Sequence, residues 1–181
     1  MMELAIAHDY RGRPLTAADW ARVVLVREPA HLRIQVDAPY FGDPAPAGPA
    51  GPCDRLWEHE VVEVFIADAA EHYLEVELSP HGHHLVLELS GVRHIVRGQL
   101  PIDYQATIAP PSPQTVGRSR FQGVARVPWH YLPQAATRVN AYAIHGQGAA
   151  RCYHAHSAPC PGGELPDFHR LDCFVPWAWS Q

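Results

Sequence analysis

Residues 61–78, VVEVFIADAAEHYLEVEL, consist of two short runs joined by a turn that begins at Asp68. Within each run every second side chain is apolar, which is the pattern of a β-strand that buries one of its two faces. The opposite faces of the two runs carry three carboxylates, those of Glu63, Glu75 and Glu77. We therefore predict two strands that contribute to an apolar core on one side and to an acidic surface on the other.

Similar strand patterns recur along most of the chain, with short turns between them. We predict strands at residues 21–26, 31–37, 61–67, 73–79, 84–90, 92–96, 104–108, 121–127 and 138–145, with a further candidate at 171–174. Proline, which interrupts helices and central strands, accounts for 18 of the 181 residues, and only residues 16–20 and 127–132 are compatible with a helical turn. This pattern predicts an antiparallel sandwich, a jelly roll or a related barrel, in one domain spanning residues 1–181.

The composition argues against several classes of partner. The formal net charge is −5 and all 14 basic residues are arginine, so we expect no nucleic-acid partner and no anionic membrane surface. No apolar run approaches the roughly 20 residues that a membrane helix needs. Residues 1–14 lack a basic stretch followed by an apolar one, and the four cysteines form no C-x-x-C pair. We therefore expect a cytoplasmic protein with reduced thiols.

The predicted strand at residues 138–145 adds polar groups to the acidic surface. Asn140 and Tyr142 alternate with apolar residues there, so they share a face with Glu63, Glu75 and Glu77 if the strands are neighbours in one sheet. Carboxylates, an amide and an aromatic ring together suit a ligand rich in hydroxyl groups. The alternative is a solvated outer face without a ligand, whose charges are neutralised by arginines: Arg33, Arg126 or Arg138.

Several segments in a fixed order resemble the family 9 carbohydrate-binding modules. They are LWEHEVVEVFI (56–66), YLEVELSPHG (73–82), VPW (127–129), the strand with Asn140, and PDFH (166–169). The chain is still more similar to an uncharacterised single-domain branch of that superfamily, shared by bacteria and animals. The motifs shared with that branch are APYFGDP (38–44), PHGHHLVLELSG (80–91), AIHG (143–146) and PDFH. The resemblance implies an all-β fold, an antiparallel β-sandwich of jelly-roll type, which also occurs in haem-binding relatives.

The resemblance also implies a ligand site. In those modules a sugar lies between two tryptophan rings and is held by charged and amide side chains. Trp57 matches the first tryptophan, Glu63 matches an acidic residue that receives sugar hydroxyls, and Asn140 matches an asparagine on the floor of the site. Tyr142 stands where a glutamine is usual, and Glu60 matches an aspartate beside the site.

Two positions depart from the pattern of these modules. Glu75 stands in the place of an arginine that donates hydrogen bonds to the sugar. The second tryptophan is absent, because Glu164 and Leu165 precede PDFH. If an aromatic wall contributes about 1 kcal/mol, its loss weakens the binding of a sugar several-fold. We therefore expect the ligand to differ from that of the modules.

The 13 histidines raise the possibility of a metal or haem site. His81, His84, His145 and His169 lie in the motifs shared with the single-domain branch, so we expect these four near the site. The turn that contains His81, His83 and His84 has no carboxylate at a recognised metal-binding spacing, and no HExxH motif occurs. We predict no cofactor, with a metal site as the alternative; an axial haem ligand would have to be His145 or His169.

These observations lead to a prediction of non-catalytic binding of a small carbohydrate or polyol-like ligand. One alternative is an intracellular enzyme that acts on a sugar derivative through Glu63, Glu75 and a nearby His81 or His145, since two close carboxylates can hydrolyse a glycosidic bond. The other is a histidine-based metal or haem protein. The oligomeric state is left open. The predicted ligand-binding residues are Trp57, Glu60, Glu63, Glu75, Glu77, His81, Asn140, Tyr142, His145 and His169.

Overall fold

The computed structural model describes residues 1–111, 118–159 and 166–177. Its strands are β1 (Met2–Ile6), β2 (His8–Asp9), β3 (Ala21–Arg27), β4 (His31–Pro39), β5 (Val61–Ala67), β6 (His72–Leu78), β7 (His84–Ser90), β8 (Ile95–Arg97), β9 (Asp103–Ala109), β10 (Arg120–Pro128), β11 (Arg138–His145), β12 (Cys152–Ala155) and β13 (Val175–Pro176). Single 3-10 turns occur at Ala17–Asp19, Leu56–Glu58, Trp129–Tyr131, Gly148–Ala150 and Leu171–Cys173.

The strands form two sheets in which every pairing between named strands is antiparallel. The first sheet has the order β1-β3-β4-β10-β9, and the second has the order β2-β12-β11-β5-β6-β7-β8, with β13 added beside β11. The prediction of an all-β, antiparallel β-sandwich is therefore confirmed. Among the described residues, no helix has the length and apolar character needed to cross a membrane.

The principal core lies between the two sheets. Leu25 and Ile34 from the first sheet and Val64, Ile66 and Val76 from the second are fully buried in it. This is the apolar face that the alternation in β5 and β6 predicts. Burial of each such side chain contributes roughly 1.5–3 kcal/mol, so the period-two pattern fixes which face of each strand turns toward the first sheet.

The opposite face of the second sheet, here called the outer face, is also covered. A second apolar cluster on this face contains Phe65, Tyr73 and Leu87 from the strands, together with Leu56 and Phe168 from segments that cross over the sheet. The alternative of a solvated outer face is therefore wrong. The acidic surface predicted from the sequence is an interior layer, because loops before β5 and after β12 lie over it.

Some elements differ from the sequence prediction. Strands β1 and β2 were not predicted, because the alternation of Met2–Ile6 is confined to Leu4 and Ile6. The strand predicted at residues 92–96 is reduced to the three residues of β8, since Arg93 adopts a positive φ of 62° within the preceding turn. The candidate strand at residues 171–174 is a 3-10 turn followed by β13.

The cysteines agree with the sequence prediction only in part. Cys53 and Cys152 are free thiols. Cys173 is disulfide-bonded, so the expectation of a reduced thiol is wrong at that position. The predicted loops at residues 110–113 and 159–163, and the position of Glu164 and Leu165 before PDFH, lie wholly or partly outside the described residues.

The principal core predicts a large contrast between two isoleucines. Ile34→Ala removes a fully buried side chain on β4 and should lower the free energy of unfolding by about 2–5 kcal/mol. Ile108→Ala on β9, where the side chain is 40% exposed, should cost less than about 1 kcal/mol. Urea denaturation of both variants measures the difference, and equal losses would contradict the assignment of the core.

Candidate functional site

Three glutamates meet on the outer face of the second sheet. The register between β5 and β6 places Glu63 opposite Glu77, and Glu75 lies opposite Phe65 two pairs further along. Their side chains are 96–100% buried, since their exposed fractions are 2%, 4% and 0%. One carboxylate oxygen from each of the three lies within 4.8 Å of the others. We call this group the glutamate cluster.

The glutamate cluster is electrostatically costly when all three groups are ionised. Two like charges 4.8 Å apart repel by about 3 kcal/mol at an effective dielectric constant of about 20. Burial raises the pKa of Glu75 to about 7. Burial, followed by the negative charge of Glu75, raises the pKa of Glu63 well above its ordinary value. Burial and the charges of both neighbours have the same effect on the pKa of Glu77.

A cavity of about 790 Å³ lies against the glutamate cluster. Glu63 and Glu75 line it, whereas Glu77 lies outside its lining. Much of the remaining wall is aromatic, because Trp57, Phe65, Tyr153 and Phe168 all line the same space. The polar groups of the wall include Glu58, His59, Arg93, Gln147, Arg151 and His169.

One side of the cavity is a 3-10 turn held in place by Arg151. Trp57 lies in this turn, Leu56–Glu58, and its side chain is 38% exposed. The guanidinium of Arg151 donates hydrogen bonds to the carbonyls of Trp57, Glu58 and Gly146. This side chain therefore connects the turn that carries the indole to the end of β11.

The other side of the cavity is built from the PDFH segment. The ring of Phe168 stacks flat on Tyr142, with ring centroids 3.9 Å apart and an interplanar angle of 6°. The hydroxyl of Tyr73 accepts a hydrogen bond from the backbone N–H of Arg93 and forms a second hydrogen bond with Nδ1 of His169, 2.8 Å away. Burial lowers the pKa of His169 to about 4, which makes it a neutral imidazole at neutral pH.

The two arginines of the cavity wall do not pair with the glutamate cluster. Arg93 donates a hydrogen bond of 2.9 Å to Asp167, and Arg151 is occupied by backbone carbonyls. Their positive charges lower the pKa values of Glu75 and Glu63, respectively, but by less than burial raises them. Among the described residues, the cluster therefore has no ion-pair partner.

Asn140 and Tyr142 lie on the predicted face but do not line the cavity. Both side chains are fully buried. The amide nitrogen of Asn140 donates to the hydroxyl of Tyr142 and to the carbonyl of Ser157, while its oxygen accepts from the backbone N–H groups of Ala141 and Ser157. With all these groups paired inside the protein, Asn140 supports the sheet rather than the wall of the cavity.

Glu60, His81 and His145 form a separate group around the segment APYFGDP. The carboxylate of Glu60 accepts hydrogen bonds from three consecutive backbone N–H groups, at residues 41–43. His81 contacts the carbonyl of Asp43 through Nε2 at 3.3 Å, and His145 stacks on Phe41 with ring centroids 3.4 Å apart. None of the three lines the cavity described above.

The structure thus divides the ten predicted residues. It brings Trp57, Glu63, Glu75 and His169 to the cavity, with Glu77 adjacent in the glutamate cluster. It places Glu60, His81, Asn140, Tyr142 and His145 elsewhere. The sequence analysis missed the other wall residues, among them Arg93, Arg151, Tyr153 and Phe168. Phe168 lies within the PDFH motif and could have been included, whereas Arg93 lies within a turn and Arg151 follows one, and neither turn carries a recognisable pattern.

The fold is shared with a solved structure of low sequence similarity. The crystal structure of a "putative carbohydrate-binding protein" from Bacteroides uniformis superposes with a TM-score of 0.70 at 12% sequence identity. The superposition covers 97% of this chain and 85% of that one. The class of the protein is therefore a β-sandwich of the same fold, and this degree of identity establishes the fold alone.

Sequence similarity then identifies the family. The chain is 45% identical over 183 residues to the UPF0462 protein C4orf33 homolog of Danio rerio, covering 96% of this chain and 87% of the relative. It is 38% identical over 190 residues to UPF0462 protein C4orf33 of Homo sapiens, covering 96% and 86%. The chain belongs to the UPF0462 family. No model in a scan of protein families matches it.

The hydrogen bonds of Asn140 predict a structural role for this residue. Asn140→Ala removes all four bonds and leaves half-buried backbone groups of Ser157 without these partners, so the free energy of unfolding should fall by about 2–4 kcal/mol. Tyr142→Phe, which removes one of the four bonds, should cost about 1 kcal/mol. Chemical denaturation of the two variants checks this, and an Asn140→Ala protein as stable as the parent would refute it.

The raised pKa values of the glutamate cluster predict a loss of stability at alkaline pH. In metal-free buffer the folded protein retains protons on Glu63 and Glu77 that the unfolded chain has already released. Because the folded pKa lies above the unfolded one, this stability is lost as the pH rises through the folded pKa. The buried histidines, including His145 and His169 with pKa values lowered to about 4, oppose this trend only below about pH 6.5. The free energy of unfolding should therefore fall as the pH is raised from neutrality through the folded pKa values of the cluster, of which that of Glu75 is about 7.

A variant of the cluster separates this effect from other titrations. Glu77→Gln removes one retained proton, so the slope should become flatter by up to about 1.4 kcal/mol per pH unit. Burial raises the pKa of the adjacent Cys53 thiol, which moves the titration of this thiol to higher pH. Glu58→Gln, at an exposed carboxylate of the same cavity, should keep the parental slope. Identical slopes for parent and Glu77→Gln proteins would contradict the prediction.

Proposed function

We propose that the protein binds a small hydroxyl-rich ligand, a saccharide or a polyol, in the cavity on the outer face. One observation carries this proposal: Trp57, Glu63 and Glu75 line the same cavity. The resemblance to family 9 carbohydrate-binding modules assigns Trp57 and Glu63 to the sugar. It also assigns to the sugar the arginine position that Glu75 occupies here.

The chemistry of the cavity suits such a ligand. Carboxyl groups form hydrogen bonds with hydroxyl groups, and each such bond contributes about 1 kcal/mol, or about 1.5–3 kcal/mol where the carboxyl group is ionised. An indole ring offers a flat apolar surface for the C–H face of a sugar ring. The volume of about 790 Å³ lies within the range of ordinary small-molecule sites.

The cavity contains aromatic side chains besides Trp57, although the second tryptophan of the module pattern is absent. Tyr153 and Phe168 both line the cavity, so aromatic surface is present besides the indole of Trp57. Phe168 is 92% buried against Tyr142 and the sheet, since its exposed fraction is 8%. We propose that the aromatic contact with the ligand is made chiefly by Trp57, which supports a weaker or smaller ligand than a fully clamped disaccharide.

The Bacteroides uniformis structure with the same fold gives a further reason to test saccharides first. That protein is named for carbohydrate binding and shares the sandwich fold over 97% of this chain. Its name describes that protein alone. The proposal for this chain rests on the cavity and on the residues that match the module pattern.

Hydrolysis of the bound saccharide is a second candidate function. It is favoured by the carboxyl group of Glu75, which lines the cavity beside Glu63 and whose pKa burial raises to about 7. A carboxyl group with such a pKa can donate a proton at neutral pH. The enzyme alternative in the sequence analysis also used His81 or His145, but neither residue lines the cavity. The hydrolysis proposed here therefore depends on the glutamates alone.

The proposed function is tested by titrating the protein with mono- and disaccharides and polyols while heat and ligand composition are followed. Trp57→Ala should weaken the binding of the best ligand about five-fold, because stacking on an aromatic ring is worth about 1 kcal/mol. Glu63→Ala should weaken it about ten-fold or more. Release of a shorter saccharide or free aglycone during the titration would favour hydrolysis over simple binding.

Trp20→Ala is the matched control for the tryptophan variant. Trp20 is 46% exposed and follows the turn Ala17–Asp19, away from the cavity lining. Its removal should leave ligand affinity within about two-fold of the parent, since no contact with the cavity is lost. Equal losses in the two tryptophan variants, or no binding by any saccharide or polyol, would overturn the proposal.

A further inference from the structure

We propose that the glutamate cluster binds one hard divalent cation through the carboxylates of Glu63, Glu75 and Glu77. A group of acidic residues alone would not support this. The additional observation is that both carboxylate oxygens of Glu77 and Oε2 of Glu75 are buried and have no hydrogen-bond partner among the described residues. These side chains are 0% and 4% exposed and contribute oxygens to the same group.

Buried polar atoms in folded proteins almost always have a partner. More than nine in ten buried polar groups are hydrogen-bonded, and the remaining cases call for a particular explanation such as a missing ion. Here the atoms that need a partner belong to two neighbouring carboxylates on β6. A cation between them and Glu63 satisfies the oxygens and neutralises the repulsion within the cluster.

The distances in the cluster fit a cation of this kind. The three oxygens lie within 4.8 Å of one another, and two oxygens on opposite sides of an ion with bonds of about 2.4 Å are separated by that distance. Bonds of 2.3–2.6 Å are typical of Ca²⁺, and bonds of 2.0–2.1 Å are typical of Mg²⁺. All three donors are carboxylate oxygens, which favours Ca²⁺, Mg²⁺ or Mn²⁺ over metals that prefer sulfur and nitrogen.

The net charge of the cluster and its surroundings is compatible with a bound divalent cation. Three carboxylates and a divalent cation have a net charge of −1, and the cavity wall contains Arg93 and Arg151. Neither arginine replaces the cation, because each is bonded to other groups: Arg93 to Asp167, and Arg151 to backbone carbonyls. The competing state is the protonated cluster, from which a bound cation displaces protons.

The cavity provides a route for the ion and for further ligands. Glu63 and Glu75 line the cavity and Glu77 lies next to them, so a cation reaches the cluster from the solvent side. Its remaining coordination positions face the cavity, where water or hydroxyl oxygens can fill them. This inference stands without the proposed saccharide function, and it deepens that function if a ligand hydroxyl joins the coordination shell.

The test uses the full chain, stripped of metal with a chelator and titrated with Ca²⁺, Mg²⁺ and Mn²⁺ separately. At a concentration 100 times the Kd, at least one of these ions should raise the Tm by about 5–10 °C. Calorimetric titration should give one ion per chain. If the metal-free protein shows the same Tm with and without each ion, the cluster is neutralised by protons and the inference is wrong.

Two glutamine substitutions distinguish the cluster from general negative charge. Glu77→Gln keeps the shape of the side chain and removes a buried charge, so the variant should fold; it should bind the ion at least ten-fold more weakly. Glu58→Gln, whose carboxylate lies in the wall of the same cavity, should bind the ion within about two-fold of the parent. Equal losses in the two variants would show screening by surface charge and overturn the site.

The saccharide titration, repeated with and without the ion, separates this inference from the proposed function. Ion binding without any saccharide or polyol binding supports the cation site and overturns the proposed function. Saccharide binding with no response to any ion overturns the cation site alone. Saccharide binding that strengthens when the ion is present supports both, and places a ligand hydroxyl at the cation.

Discussion

The burial of three carboxylates beneath an apolar layer is the constraint on which the site depends. Glu63, Glu75 and Glu77 lie in adjacent strands of a sheet that is covered on both faces. Moving a charge into such surroundings costs several kcal/mol unless a partner compensates. Hydrogen bonds satisfy other buried polar side chains, as at Asn140 and Glu60, whereas both carboxylate oxygens of Glu77 and Oε2 of Glu75 have no hydrogen-bond partner in the described part of the chain. Such buried negative charge is compatible with a stable fold only if protons, a cation or a ligand neutralise it.

Antiparallel pairing explains why the three groups converge. In such a pair, residues directly opposite one another place their side chains on the same face about 4.5–5.5 Å apart. Glu63 and Glu77 are opposite in this sense, and Glu75 is two residues along the same strand. A shift of the register by one residue would send one of the two strands' glutamates into the principal core. The apolar contacts of Val64 and Val76 between the sheets therefore hold the acidic residues in position.

The sequence predicts correctly which side chains share a face of the second sheet. It does not predict which segments pack over that face. Period-two alternation correctly places Glu63, Glu75, Asn140 and Tyr142 on one side of one sheet, because this depends only on local backbone geometry. It does not reveal that Phe168 lies over Tyr142. That contact joins residues far apart in the chain, as does the bond between Glu60 and residues 41–43. Hence the sequence indicates an acidic face, whereas only the tertiary structure separates the residues of the cavity from those that support it.

Arg151 gives the opening of the cavity an unusual dependence on one side chain. Its planar guanidinium spans the carbonyls of two residues in the turn that carries Trp57 and one at Gly146 after β11. A lysine has a single point of charge and no fork of donors, so it could not bridge the same three oxygens. The length of the Arg151 side chain therefore sets the distance between the indole of Trp57 and the sheet. In related proteins, a substitution of this arginine would change which molecules enter the cavity and would leave the glutamate cluster unchanged.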